Sequence, residues 1–173
     1  AASERSRPNL PREGDTSVAS VNSGKDPLGG VTEFGNNGVI AWGRGLDKFG
    51  QYFHYATGLP TAGADLAQIA ISTPVGVYSV IGATTPTAGA GAAQVVGQFQ
   101  GATLTARFST GEVDAAVRFA IAGSTIEATQ ANMTISRAGN MTFTSAGSNG
   151  PATCTGGCSQ SGVQMAGFFA GPG

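Results

Sequence analysis

The chain has 173 residues, a length that suits one domain and is short for two of ordinary size. Charged residues make up only 11% of it and the formal net charge is −1, so the composition excludes a basic surface for nucleic acid or anionic lipid. It has no long apolar run, so no transmembrane helix is predicted.

Residues 1–36 are predicted to form an extended N-terminal arm, and residues 37–173 a β-barrel domain. The arm shows little hydrophobic periodicity, and Pro8, Pro11 and Pro27 interrupt it. Because the first residue is not Met, we expect that a leader was removed or that the chain was cut from a longer protein.

The first part of the barrel domain contains three predicted strands, at residues 39–44, 51–56 and 76–82. Residues 64–72 fit either a short helical turn or an alternating strand. The Thr-, Ala- and Gly-rich residues 84–93 are predicted by composition to form a mobile loop.

Residues 101–135 carry the clearest pattern, an alternation of apolar and polar residues with a period of two. Turn signals at 110–111 and 123–124 divide this stretch into three consecutive antiparallel strands. Asp114 and Arg118 are predicted on the outer face. The residues predicted to face inward are Leu104, Phe108, Val113, Val117, Phe119 and Ile121.

Two further strands are predicted at residues 140–144 and 163–169. The whole pattern therefore predicts an all-β fold, an antiparallel up-and-down β-barrel of about eight short strands with an extended N-terminal arm. Closure of the barrel would remove exposed strand edges.

Cys154 and Cys158 are separated by Thr-Gly-Gly, which lets the backbone turn sharply. We expect a small disulfide loop, with two free thiols as the alternative. The pair alone supplies too few ligands for zinc. A disulfide would imply an oxidising, extracytoplasmic compartment.

The sequence offers no catalytic constellation, so a non-enzymatic protein without a metal or cofactor is predicted. His54 is the only histidine. Glu112 and Asp114 share one strand face, either as a functional pair or as part of a solvated outer surface. Trp42, Tyr78 and other aromatic residues either line a barrel mouth or pack in the core.

Three segments together resemble the C-terminal β-barrel of the transferrin-binding-protein-like family. They are residues 78–82 with 84–87 (YSVIG, TTPT), residues 104–111 with Val113 (LTARFSTG), and residues 166–172 (AGFFAGP). The resemblance covers roughly residues 37–172. It implies a secreted or cell-surface barrel of a Gram-negative bacterium, with the periplasm as the other location. Transferrin binding is not carried over, because no contact residue is identifiable.

In that family the Gly-Phe-x-Gly-Pro element precedes one more strand, whereas this sequence stops at Gly173, so we expect an unpaired strand edge. Residues 15–23 contain no proline and can pair with such an edge. In this segment Val18 and Ser20 lie on one side, and Ala19 and Val21 on the other.

Docking of this arm on a neighbouring subunit would make the protein a self-assembling, filament-forming structural subunit. Entry of the arm into its own barrel would instead give a closed monomer. The alternative function is a barrel module that binds a ligand or another surface protein, as a receptor or sensor domain.

Overall fold

The computed structural model describes residues 30–89, 93–145, 149–156, 158 and 162–171. Within these ranges the fold is antiparallel β structure with one short helix, so the predicted all-β barrel class is confirmed. As far as the described residues go, the larger sheet is a half-barrel with one open side.

The strands lie in three sheets. In chain order they are β1 (Val31–Asn36), β2 (Ile40–Leu46), β3 (Tyr52–Gly58), β4 (Val75–Tyr78), β5 (Thr87–Ala88), β6 (Val95–Val96), β7 (Gln98–Arg107), β8 (Glu112–Ile121), β9 (Ser124–Ser136), β10 (Thr142–Thr144), β11 (Ala152–Thr155) and β12 (Ala166–Phe168), with helix α1 (Leu66–Ser72) before β4. The N-terminal sheet has the order β1–β2–β3, the half-barrel has the order β12–β10–β9–β8–β7–β4 with β11 beside β9, and β5 pairs with β6.

The N-terminal sheet begins inside the segment predicted as the arm. β1 and β2 are joined by a tight turn in which Gly38 has a φ of +85°, a conformation that favours glycine. The side-chain oxygen of Asn37 accepts hydrogen bonds from the backbone N–H of Val39 and Ile40, at 3.0 and 2.9 Å. Paired structure is therefore already present at Val31, before the predicted domain boundary at residue 37.

The three central strands of the half-barrel have the predicted register. Phe108, Val113 and Ile121 are buried, and Leu104 is half-buried against the core. Val117 and Phe119 share the inner face with them but are only partly buried. Arg118 is exposed on the outer face, as the alternating pattern predicts.

Helix α1 resolves the ambiguity of residues 64–72 in favour of the helical turn. Leu66 is buried in the core with Val113, Met133 and Met141, while Ile69 and Ala70 pack against the same cluster. These three helical positions recur at the spacing of one helix face. Among the described residues, no helix has the length and apolar character needed to cross a bilayer.

Candidate functional site

The open side of the half-barrel leaves one edge of β4 without a partner strand. β4 pairs with β7, from Val75 opposite Arg107 to Tyr78 opposite Leu104, and with no other strand in the described part of the chain. In an antiparallel ladder, alternate residues direct both backbone groups to the same neighbour. Every second residue of β4 therefore presents its N–H and C=O at the open side, where one more strand can pair.

The outer side chains next to this edge are apolar. Val75 is 51% exposed and Val77 is 78% exposed, and Ile71 of α1 is 79% exposed. No Asp, Glu, Lys, Arg or His occurs between Asp65 and Arg107. Proteins usually protect an edge strand with charged side chains, so an edge without them is typical of a docking site.

Behind the β4 edge, the concave face of the half-barrel forms an apolar trough of about 490 Å³. Tyr78 and Val80 line one wall, and Phe143 and Met165 line the other. Leu104, Val117 and several small residues of β7 and β8 form its floor. A strand added to β4 would place its inward side chains in this trough, because neighbouring strands share the same two faces.

A second cavity of about 460 Å³ lies where the N-terminal sheet meets the half-barrel. Its lining includes Ile40 of β2 and the aromatic residues Tyr78, Phe108, Phe143 and Phe169. The Phe169 ring lies 5.9 Å from that of Tyr78, 5.3 Å from Phe108 and 5.5 Å from Phe143, measured between centroids. Tyr78 lines both the trough and this cavity.

One face of the N-terminal sheet is covered by residues 82–89 and 93–97, which we call the strap. The carboxylate of Glu33 accepts hydrogen bonds from the backbone N–H of Thr85, at 2.7 Å, and from its hydroxyl group. The two ring nitrogens of His54 contact the hydroxyl groups of Thr84 and Thr87, at 2.8 and 2.9 Å. The first part of the predicted mobile loop is therefore held to β1 and β3 by side chains that composition does not reveal.

The buried side chain of Arg44 pairs with Glu33, the carboxylate that holds the strap. Arg44 is 7% exposed, donates to Glu33 at 2.8 Å, and lies 4.5 Å from the centroid of the Tyr52 ring. Burial raises the pKa of Glu33, but the hydrogen bonds from Thr85 and the charge of Arg44 outweigh it, so the net shift is downward. Burial, then the charge of Arg44, lowers the pKa of His54, and Glu33 opposes the shift. Glu33 is bonded to Arg44 and to the strap, and His54 is bonded to the strap, so the role of these three groups is structural.

Glu112 and Asp114, the predicted carboxylate pair, lie on the outer face and share one guanidinium. Arg107 donates to both oxygens of Asp114, with Nη2 to Oδ1 at 3.0 Å, and to Glu112 at 3.3 Å. Asn132, at an irregularity of β9, donates its backbone N–H to Asp114 at 2.8 Å. Neither carboxylate is free for acid–base chemistry, in agreement with the reading as a solvated outer surface.

This network predicts a loss of stability in acid. The hydrogen bond from Arg107, followed by the Asn132 N–H, lowers the pKa of Asp114 from 3.8 to about 2. Because the folded-state pKa is depressed, ionised Asp114 stabilises the fold above about pH 4, and this contribution is lost as the pH falls towards 2. We expect the urea midpoint of the wild-type protein to fall more steeply across this window than that of Asp114→Asn. Parallel pH profiles of the two proteins would contradict the assignment.

The predicted site residues are not brought together. Cys154 and Cys158 form a disulfide, with Cα atoms 5.9 Å apart, and Cys154 pairs opposite Ile126 of β9. The disulfide therefore lies on a different strand from the β4 edge. The predicted arm residues Val18, Ala19, Ser20 and Val21 lie outside the described residues. In the ranges that are described, no three His, Cys, Asp or Glu residues are grouped so that they could hold a metal ion.

No family model matches the chain, and no curated protein or solved structure matches it either. The resemblance to the transferrin-binding-protein-like family therefore stays a prediction. The β4 edge was not identified from the sequence, although two signals point to it. These are the charge-free stretch after Asp65 and the alternation of Val75 and Val77 with Gly76 and Tyr78.

Proposed function

We propose that this protein is a non-enzymatic structural subunit that assembles with copies of itself by strand addition at the open side of the half-barrel. The observation that carries the proposal is the unpaired edge of β4, which has exposed valines on its outer face and an apolar trough behind it. A strand added there would pair the open backbone groups and cover apolar surface in the same step.

The energetic basis is the burial of side chains that β4 now exposes. Full burial of one valine contributes about 1.5–3 kcal/mol, and Val77 has most of its surface still to bury. If each subunit offers one edge and donates one strand, contacts are head-to-tail and generate a filament unless the rotation closes a ring.

The proposed location is outside the cytoplasm, at the surface or in the periplasm of a Gram-negative bacterium. The Cys154–Cys158 disulfide supports an oxidising compartment. The resemblance to the transferrin-binding-protein-like family supports the bacterial surface or periplasm.

Substitution Val77→Lys tests the assembly proposal in the full chain. A charge on the outer side of β4 should disfavour strand addition, and we expect self-association to weaken by about tenfold or more, because 1.4 kcal/mol corresponds to a factor of ten. Sedimentation velocity over a range of concentrations measures the effect. Val95→Lys is the matched control, because Val95 is another exposed strand valine that lies in the β5–β6 sheet.

A monomeric wild-type protein at all concentrations would contradict the proposal, as would equal association of wild type and Val77→Lys. The second candidate function, a ligand- or partner-binding barrel module, is favoured by the aromatic cavity of about 460 Å³. It predicts a monomer with a bound apolar molecule, which native mass spectrometry of the full chain would detect.

A further inference from the structure

We infer that the aromatic cavity of about 460 Å³ binds a small, uncharged and mainly apolar molecule with a hydroxyl or carbonyl oxygen, which hydrogen-bonds to the hydroxyl group of Thr61. The inference rests on the second candidate function, since it names the ligand class of the same cavity, and it does not depend on assembly at the β4 edge. Three features of the cavity support it, namely the Thr61 hydroxyl, the aromatic wall and the lack of charge.

The side chain of Thr61 is a buried polar group without a partner. Thr61 is 7% exposed and lines the cavity, and no described residue hydrogen-bonds to its hydroxyl group. Leaving a buried hydroxyl unpaired costs free energy, so the position calls for a partner. The cavity is the open space beside Thr61, and a ligand that enters it can supply that partner.

The backbone holds Thr61 in a fixed position between two strand ends. Its N–H donates to the carbonyl of Phe169 at 2.8 Å, and its carbonyl accepts from the N–H of Met141 at 2.8 Å. The residues on either side are paired as well, Pro60 with Ala170 and Ala62 with Asn140. A polar group that is fixed in this way loses little freedom when a ligand binds, which favours a specific contact.

Aromatic rings form much of the remaining wall. Tyr78, Phe108, Phe143 and Phe169 all line the cavity, and their rings contact one another through Phe169. Ligand sites of this size are typically apolar, with a few polar groups that fix the orientation of the ligand. Rings in a ligand can pack against these side chains, so the body of the ligand is apolar.

The cavity offers no counter-charge for an ionised ligand. The sequence has no charged side chain and no histidine between Asp65 and Arg107 or after Arg137, and these stretches supply most of the lining. Burial raises the pKa of the Tyr78 phenol, so this group is neutral at neutral pH. An ion would lose its hydration here without meeting an opposite charge, so the ligand is uncharged.

The three methionines of the chain report where a molecule binds. Met141 lines the cavity, Met165 lines the trough, and Met133 lies in the core outside both linings. The test titrates the full chain, with isotope-labelled methionine methyl groups, with naphthalene, naphthol or naphthoate. These share one ring body and carry no polar group, one hydroxyl or one charge. We expect naphthol to shift the methyl signal of Met141 most in the NMR spectrum, and naphthoate to bind more weakly than naphthol.

Thr61→Val keeps the shape of the side chain and removes its hydroxyl group. We expect its affinity for naphthol to fall by about two- to tenfold, the range that one hydrogen bond supplies, while its affinity for naphthalene does not fall. Thr61→Ser, which keeps a hydroxyl, should retain the binding of naphthol. Because the Thr61 hydroxyl has no partner among the described residues, the urea midpoint of Thr61→Val should not fall. A structural hydroxyl would lower it.

Thr142→Val is the matched control, because Thr142 is exposed on β10 next to Met141 and does not line the cavity. We expect it to bind all three molecules as the wild type does.

Several results would overturn the inference. Equal binding of naphthol by Thr61→Val and the wild type would remove the assigned hydrogen bond and leave an apolar site. A shift confined to Met165 would move the ligand to the trough, and tighter binding of naphthoate than of naphthol would contradict the uncharged class. Failure of all three molecules to bind would count against the second candidate function itself. Assembly at the β4 edge is measured separately by sedimentation and would still stand.

Discussion

Phe169→Ala is expected to lower the free energy of unfolding by about 3–5 kcal/mol, the usual cost of truncating a buried phenylalanine. Phe169 is 8% exposed, and its ring contacts the rings of Tyr78, Phe108 and Phe143. These partners belong to different strands or strand ends, so the surrounding structure cannot easily collapse into the space that the ring leaves. Urea denaturation followed by far-UV circular dichroism measures the loss.

Phe119→Ala is the matched control for this prediction. Phe119 lies on the inner face of β8, as the sequence pattern predicts, but the half-barrel leaves it only partly buried. Less apolar surface is removed from water at this position, so we expect a smaller loss of stability than for Phe169→Ala. Equal losses for the two variants would contradict the assignment of the core to the ring cluster around Phe169.

Gly82→Val is expected to displace Trp42 and to loosen the strap from the N-terminal sheet. A Cβ atom at Gly82 would overlap the indole ring, and the ring also lies against Gly35, where a Cβ would be only 2.6 Å away. Overpacking of this kind costs about 1–3 kcal/mol. Trp42 is the only tryptophan, so a red shift of the intrinsic fluorescence would report the displacement directly.

The matched control for Gly82→Val is Ala83→Val, since Ala83 is exposed in the same segment. It adds a branched side chain at an exposed position, and we expect unchanged emission and stability. Unchanged emission in Gly82→Val as well would show that Gly82 of the strap does not pack against the Trp42 ring.

The sequence predicts those parts of the fold in which side-chain alternation is local. The strands β7, β8 and β9 and their inner faces follow directly from the period-two pattern, and Thr110, Gly111 and Gly123 mark the turns between them. Residues 64–72 are undecided from sequence alone, because the helix face containing Leu66 is defined only by the core against which it packs.

The strap and β1 were not predicted, because the contacts that fix them are distant in sequence. Glu33 and Thr85 are separated by 52 positions, and nothing near either residue indicates that they pair. The candidate site at the β4 edge was not predicted. The expected unpaired edge beside the last strand stays a prediction, and among the described residues β12 and β4 are the two ends of the half-barrel sheet. That β4 carries the exposed valines could not be predicted, because burial depends on which strands lack a neighbour.

The charge-free edge of β4 has a consequence for how the protein tolerates sequence change. A strand that pairs with this edge bonds mainly through its main chain, which is the same in every sequence, so selection acts only on alternate side chains. Many substitutions in the incoming strand would leave the attachment intact, provided that the period of two is kept and proline stays out of the run. A single inserted or deleted residue would exchange the two faces and abolish the fit. Strands of quite different sequence but of one period and one length could therefore pair with this edge equally well.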